Sequence, residues 1–257
     1  MAIRVGTQPI LRFYAGPVPP PVWSPADIAK YWWTADAGVT ESGGFVSSWQ
    51  DQVGGLNITQ SSATFQPVTG SQAALNNQNI IRFDGAGDYL QRSPISFLSD
   101  GYSYSLITVH YYNAAVGAVV SQALFGAAVG RISFIVDGGA ERIINQGFSG
   151  TATITVNNPV TTGAKVEAFE YDAAGSVRVW YNDLSSSTTY SGGNVNQNLI
   201  QTTSLIFGGY NNAGTGIAGG YRFNGDIAEV IWVPRTLTAG DLTNLQTYIN
   251  TKYGLSV

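Results

Sequence analysis

The chain has 257 residues, 44% hydrophobic and only 11% charged, less than half the ~25% charged share of an average globular protein. Its 12 basic and 16 acidic residues give a net charge of −4 with no basic cluster, which argues against the phosphate-neutralising surface of a nucleic-acid binder. There is no cysteine, so disulfides, thiolate metal sites and cysteine nucleophiles are all excluded.

Ser, Thr, Asn, Gln and Gly supply most of the polarity, as in "QSSATFQPVTGSQAALNNQN", a composition that favours turns and β-structure over exposed helices. A β-sandwich of this length is commonly one domain. We therefore expect a single domain over residues 23–257 behind a distinct leader, residues 1–22.

In the leader, "IRVGTQPILRFYAG" alternates apolar and polar residues around Gly6, the pattern of a short β-arm that gains its strand partners from another chain. Pro17, Pro19, Pro20 and Pro21 follow; proline fixes φ and lacks the N–H, so this run reads as a stiff extended linker. The N-terminus shows no 7–15-residue apolar core behind a basic start, and no stretch approaches the ~20 apolar residues of a membrane span. The expectation is delivery by a route other than a classical signal, without membrane insertion.

"SPADIAKYWW" then starts a short helix, with Ser24 as N-cap, Pro25 at the first helical position and Asp27 against the positive helix end. From about Gln78 the pattern becomes short strands separated by turns, the rhythm of an all-β sandwich. The predicted strands are 80–83, 102–112, 118–125, 131–136, 142–146, 151–156, 165–171, 177–181, 204–207, 220–223 and 227–233. "DGGAE" and "YDAAGS" are glycine-bearing turns, so their flanking strands pair as antiparallel hairpins. The lack of a long helix between strands argues against a parallel α/β fold.

The end of the chain is the most legible part. Asn224 and Gly225 read as a tight turn, "DIAEVIWV" as a strand and Pro234 as its stop, after which Thr238 and Asp241 form a capping box. The helix runs to about Tyr253, with Leu242, Leu245 and Ile249 as its apolar stripe, Lys252 in its last turn and Gly254 at C′. It is expected to lie as a lid over a sheet edge or the sandwich mouth.

Four segments resemble the concanavalin A-like, laminin G-type jelly-roll domains of bacterial secreted proteins and phage structural proteins. They are "YWWTADAGVTESGGFVSSWQDQVGG", "IIRFDGAGDYL", "VEAFEYDAAGSVRVWYNDL" and "FNGDIAEVIWVPRTLTAGDLTNLQTYINTKYGL". The resemblance implies an antiparallel jelly-roll β-sandwich, all-β, with an extended N-terminal arm and a C-terminal capping helix. One departure is the hairpin exit, usually Asn-Gly and here Asn182-Asp183, where a type I′ turn would demand φ > 0 at an aspartate. The leader is similar to the short "VG…Y.G" leaders that phage tail and head-decoration proteins carry ahead of a β-domain.

Some relatives of this fold are glycoside hydrolases, whose chemistry needs two carboxylates across the scissile bond. Here Glu170 and Asp172 share one strand face and Glu167 takes the other, and the dense Glu-x-Asp-x-Glu pattern is missing. His110, the only histidine, alternates with Tyr104, Leu106, Thr108 and Tyr112 and reads as one polar member of a strand face. "GTGIAGG" matches a dinucleotide fingerprint but leads into a predicted strand, so it reads as a loop. For a cofactor, calcium is the candidate, since "FDGAGDYL" sets Asp84 and Asp88 across two glycines and hard cations prefer oxygen-rich loops; laminin G-type relatives often bind it at a rim site.

Sugar rings stack on aromatic faces while their hydroxyls need directional partners. Trp180, Tyr181, Asn182 and Asp183 at the hairpin tip, with Tyr210 and Asn211 in a second loop, are the predicted ligand residues, whereas Trp32, Trp33, Trp49 and Trp232 read as core. Together these features lead us to expect a non-enzymatic phage virion component on the particle surface, in the head decoration or the tail. Residues 1–22 would attach it to other virion proteins, it would be a symmetric homo-oligomer, and its sandwich would bind host-surface glycans. The alternative is a secreted bacterial carbohydrate-binding module or lectin with glycoside hydrolase chemistry.

Overall fold

The computed structural model describes residues 22–92, 103–113, 122–127, 131–137, 140–147, 150–159, 162–173, 176–191, 205–209 and 222–257, with backbone only for those between 122 and 159 and for 190–191. Apart from Val22, the leader lies outside the described residues.

The strands are β1 (Tyr31–Thr34), β2 (Val39–Ser42), β3 (Phe45–Trp49), β4 (Ile58–Thr59), β5 (Val68–Gln72), β6 (Gln78–Asp84), β7 (Leu90–Arg92), β8 (Tyr104–Tyr112) and β9 (Gln122–Ala127). They continue with β10 (Arg131–Asp137), β11 (Ala140–Gly147), β12 (Gly150–Pro159), β13 (Gly163–Asp172), β14 (Ser176–Tyr181), β15 (Thr188–Ser191), β16 (Leu205–Phe207) and β17 (Asn224–Val233), before helix α1 (Ala239–Tyr253). Their pairings are antiparallel. One layer runs β15-β14-β13-β8-β17, with β1 and β6 side by side on the far edge of β17 and β5 beyond β6. The other runs β12-β11-β10-β9-β16-β7-β4-β3-β2, and a contact between β3 and β5 joins the layers. The predicted hairpins β10–β11 and β13–β14 form.

Between the layers, Trp33, Phe83, Leu106, Phe169 and Trp232 from the first meet Trp49, Ile58, Leu90 and Phe207 from the second. The Phe207 ring takes Trp33 and Trp49 edge-on, with centroids at 5.2 and 5.6 Å. This is the expected antiparallel jelly-roll sandwich.

A third layer covers the outer face of the first sheet. Ile107 and Val109 of β8, Val166 and Ala168 of β13, and Ile231 and Val233 of β17 pack with Leu245, Ile249 and Tyr253 of α1. The central strands are therefore covered on both faces, which is why β17 is buried from Gly225 to Val233 without alternating exposure. The helix has its predicted ends: Thr238 and Asp241 form the capping box, and Gly254 takes φ 66°. Its place differs from the expected lid, since it lies flat on a sheet face, where its stripe finds the largest apolar area to bury.

Three further local readings are corrected. Asn224 and Gly225 belong to β17 rather than to a turn; Gly225 is needed because a Cβ there would sit 2.2 Å from the Tyr111 carbonyl oxygen. The helix at Ser24 is a single 3₁₀ turn, Pro25–Asp27, and Tyr31–Thr34 pairs with β17 instead of prolonging it. Of the strand predicted at 220–223, the described residues show only a bridge between Gly209 and Arg222.

Candidate functional site

The β13–β14 register sets Trp180 opposite Ala168 and Tyr181 opposite Glu167, so residues 180–183 follow the open end of this hairpin and not, as expected, its tip, which falls between Asp172 and Ser176. Ala168 faces the helix layer, and so does Trp180, which is 2% exposed with the Arg178 guanidinium 5.0 Å above its ring. The expected stacking role of Trp180 is overturned, because the third layer covers the face that a two-layer sandwich would leave open. Tyr181 is half-buried, with the Lys165 ammonium 5.4 Å from its ring centroid.

Asn182 takes φ 54°. Its N–H donates to the Val166 carbonyl (2.8 Å) and its Oδ1 accepts from the Val166 N–H (3.1 Å), so its side chain closes the hairpin end. Asparagine tolerates this left-handed conformation, and Asp183 does not adopt it; the expected strain at the aspartate is absent. Asp183 is exposed and accepts from the Ser185 hydroxyl and N–H, which hold its carboxyl below the usual range. Tyr210 and Asn211 lie outside the described residues.

Asp84 and Asp88 bracket the loop that follows β6. Asp84 Oδ1 accepts from the N–H groups of Ala86 (2.7 Å), Gly87 (2.9 Å) and Asp88 (3.3 Å), and Asp88 Oδ2 accepts from the Asp84 N–H (3.1 Å). The two carboxyls diverge. Burial and then the Asp84 charge push Asp88 up to about 6, whereas for Asp84 the backbone donors outweigh burial and bring it below the usual range. Both carboxylates thus complete their own turn, and no group of three His, Cys, Asp or Glu gathers around a common point among the described residues.

The strand carboxylates weighed for hydrolysis are engaged in packing. Glu170 faces the helix layer, pairs with Arg178 Nη2 at 2.5 Å and accepts from the Leu237 N–H at 2.6 Å. The Ser103 hydroxyl donates to Asp172 at 3.4 Å. His110 and Glu167 face the sandwich interior with Nε2 and Oε1 3.6 Å apart, and His110 Nδ1 lies 3.2 Å from the Thr108 hydroxyl. All three are buried, so in this arrangement they meet no ligand from solvent.

Sequence reasoning missed a groove on the outer side of α1. Its volume is about 390 Å³, within the range of small-ligand sites. Asn244, Thr247, Tyr248, Thr251 and Lys252 recur at three- and four-residue spacing along one helix face, and Val22 and Trp23 complete the lining. Trp23 meets Tyr248 edge-on with centroids 6.0 Å apart. The turn after Trp23 is pinned where the Ser24 N–H donates to Asp27 (2.8 Å) and the Lys30 N–H to the Trp232 carbonyl (2.8 Å). The signal in the sequence was faint: a helix face polar through Asn and Thr with a single cation, and one tryptophan outside the strands.

Beneath the groove lies a buried carboxylate. The register of β17 against β8 slips at Ala228, so Glu229 lies opposite Val109 and points with it toward the helix; a bulge re-aims a side chain in this way. Glu229 is fully buried and receives Trp32 Nε1, the Tyr253 hydroxyl, the Tyr248 hydroxyl (2.8 Å) and Lys252 Nζ (3.4 Å). Burial pushes Glu229 up against the pull of these donors, and burial and the Glu229 charge push both tyrosines up, so the phenols stay protonated donors. The network anchors Tyr248, and with it the groove wall.

No family model and no curated protein matches this chain. Among solved structures, the binding domain of Paraclostridial Mosquitocidal Protein 1 matches at 9% identity and TM-score 0.58, over 88% of this chain and 53% of its own. The botulinum neurotoxin serotype D binding domain matches at 8% identity and TM-score 0.57, over 90% of this chain and 55% of its own. The Ruminococcus gnavus IT-sialidase CBM40 bound to α2,3-sialyllactose matches at 13% and TM-score 0.46, over 63% of this chain and 97% of its own. The chain spans about half the length of each toxin domain and about a quarter of the NanB sialidases from Streptococcus pneumoniae that also match. At these identities the likeness concerns the fold: an antiparallel β-sandwich shared with toxin binding domains.

Proposed function

We propose that this chain is a non-enzymatic, lectin-like carbohydrate-binding domain whose site is the groove between Trp23 and α1. The observation that carries the reading is the pairing of two aromatic walls, Trp23 and Tyr248, with the uncharged polar groups of Asn244, Thr247 and Thr251 around one cavity. Apolar ring faces plus a few directional partners is the chemistry a pyranose needs. The non-enzymatic part is supported by Glu170 and Glu229, whose hydrogen bonds serve packing.

The test is a glycan array on the full chain, followed by titration of any hit into wild type and Trp23→Ala. A hit weakened at least tenfold by Trp23→Ala, with melting temperature unchanged, supports the groove. A hit insensitive to Trp23→Ala but lost in Tyr181→Ala would return the site to the end of β14. An array without hits would sink the carbohydrate reading.

The setting we propose is a virion surface, with residues 1–22 attaching the domain to other virion proteins by strand addition and symmetric copies displayed together. It is supported by the alternating, proline-ended leader and by the low charge of the chain. Deleting residues 1–22 should abolish particle incorporation while the sandwich stays folded; unchanged incorporation would remove the leader from this role.

A further inference from the structure

Resting on that reading of the groove, we infer that the site takes uncharged sugars and discriminates against acidic ones. Among the described residues Lys252 is the only charged one lining the groove, and its charge is already spent. An ammonium has three donors, and Lys252 Nζ has four acceptors around it: Asp36 Oδ2 at 2.9 Å, Thr34 Oγ1 at 3.0 Å, the Tyr248 phenol oxygen at 3.0 Å and Glu229 Oε2 at 3.4 Å.

Glu229 receives four donors on its two oxygens. A protonated carboxyl would have to donate one hydrogen bond, so this pattern fits the ionised form. With Asp36 and Glu229 negative and Lys252 positive, the ground behind the groove carries a net charge of about −1. The chain as a whole adds to the effect with its net charge of −4.

A carboxylate-bearing sugar would therefore meet like charge and a cation with no donor left. An uncharged pyranose loses nothing to this field. It can lie on Trp23 and Tyr248 and bond to Asn244, Thr247 and Thr251. Asp36 is the exposed member of the network, its side chain 32% accessible while that of Glu229 is fully buried. Removing its charge should free Lys252 for a ligand.

The experiment titrates lactose, chitotriose and 3′-sialyllactose into the full chain, read by isothermal titration calorimetry, in wild type, Trp23→Ala and Asp36→Asn, at low and at about 0.3 M salt. The expected result is a neutral probe that binds at least tenfold tighter than 3′-sialyllactose, lost in Trp23→Ala. Binding of the acidic sugar should strengthen with salt, as screening relieves repulsion, and Asp36→Asn should narrow the gap at least threefold. Tighter Trp23-dependent binding of 3′-sialyllactose than of either neutral probe would overturn the discrimination and leave the groove standing. Weakening of its binding by salt would also overturn it, without recourse to a variant. If no probe gives a Trp23-dependent signal, the groove reading itself fails and the discrimination falls with it.

Discussion

The two faces of the central sheet are built from the same strands and held by different physics. On the sandwich face Tyr104 stacks on Trp232 at 4.8 Å and on Tyr171 at 5.5 Å, and Phe169 joins them, so contact is broad and mostly non-directional, the polar group of Thr108, His110 and Glu167 being its exception. On the helix face Ile107, Val166 and Ile231 meet Leu245 and Ile249, but a buried carboxylate also draws Trp32, Tyr248, Tyr253 and Lys252 to one point. The first face would tolerate small shifts of its partner layer. The second sets where the helix lies, because hydrogen bonds have direction and leaving such a charge unpaired is costly.

The strongest way to break the comparison is Glu229→Ala. It leaves the Trp32 indole N–H and the Tyr248 and Tyr253 hydroxyls without their buried acceptor, while Lys252 keeps Asp36, and should cost about 3–5 kcal/mol at ~1–3 kcal/mol for each unsatisfied buried group, read as a fall in the chemical denaturation midpoint. A loss under about 1 kcal/mol would mean that area alone holds the helix. Ile249→Ala, a purely apolar deletion on the same face, should cost about 2–4 kcal/mol. Unlike Glu229→Ala, it should leave Tyr248 in place and so preserve glycan binding.

The smallest effect concerns a carboxylate whose burial and charged neighbour outweigh its backbone donor. Asp88 has its folded pKa raised to about 6, above the ~3.9 of an unfolded aspartate. Its proton is held more tightly in the folded state, so the stability it contributes is fully present below pH ~4 and lost as pH rises through about 6. Asp88→Asn should therefore match wild type at pH 4 and exceed it at pH 7 by about 1 kcal/mol, a figure discounted for solvent screening of a half-exposed group. Calcium at Asp84 and Asp88 would reverse this order: added calcium would raise the wild-type melting temperature at pH 7 and leave Asp88→Asn unmoved.

Features legible in the sequence were local. Thr238, Asp241 and Gly254 mark the ends of α1 because caps act within four residues of the chain, and "DGGAE" and "YDAAGS" mark hairpins because a tight turn sets the register of its flanks. The strands before Gln78 were missed. Ile58–Thr59 and Val39–Ser42 are short and half polar, and partners distant in sequence make them strands.

The sequence by itself determined the class of fold, the helix and its apolar stripe, since periodicity and capping depend only on neighbours along the chain. Only the tertiary structure decided that a third layer buries Trp180, that the slip at Ala228 turns Glu229 toward the helix, and that Trp23 packs edge-on against Tyr248 in the lining of a groove. The physical reason is that alternation along a strand assigns side chains to two faces without saying what will cover either one. Coverage is a contest among distant segments for buried area, and it is settled when the whole chain has packed.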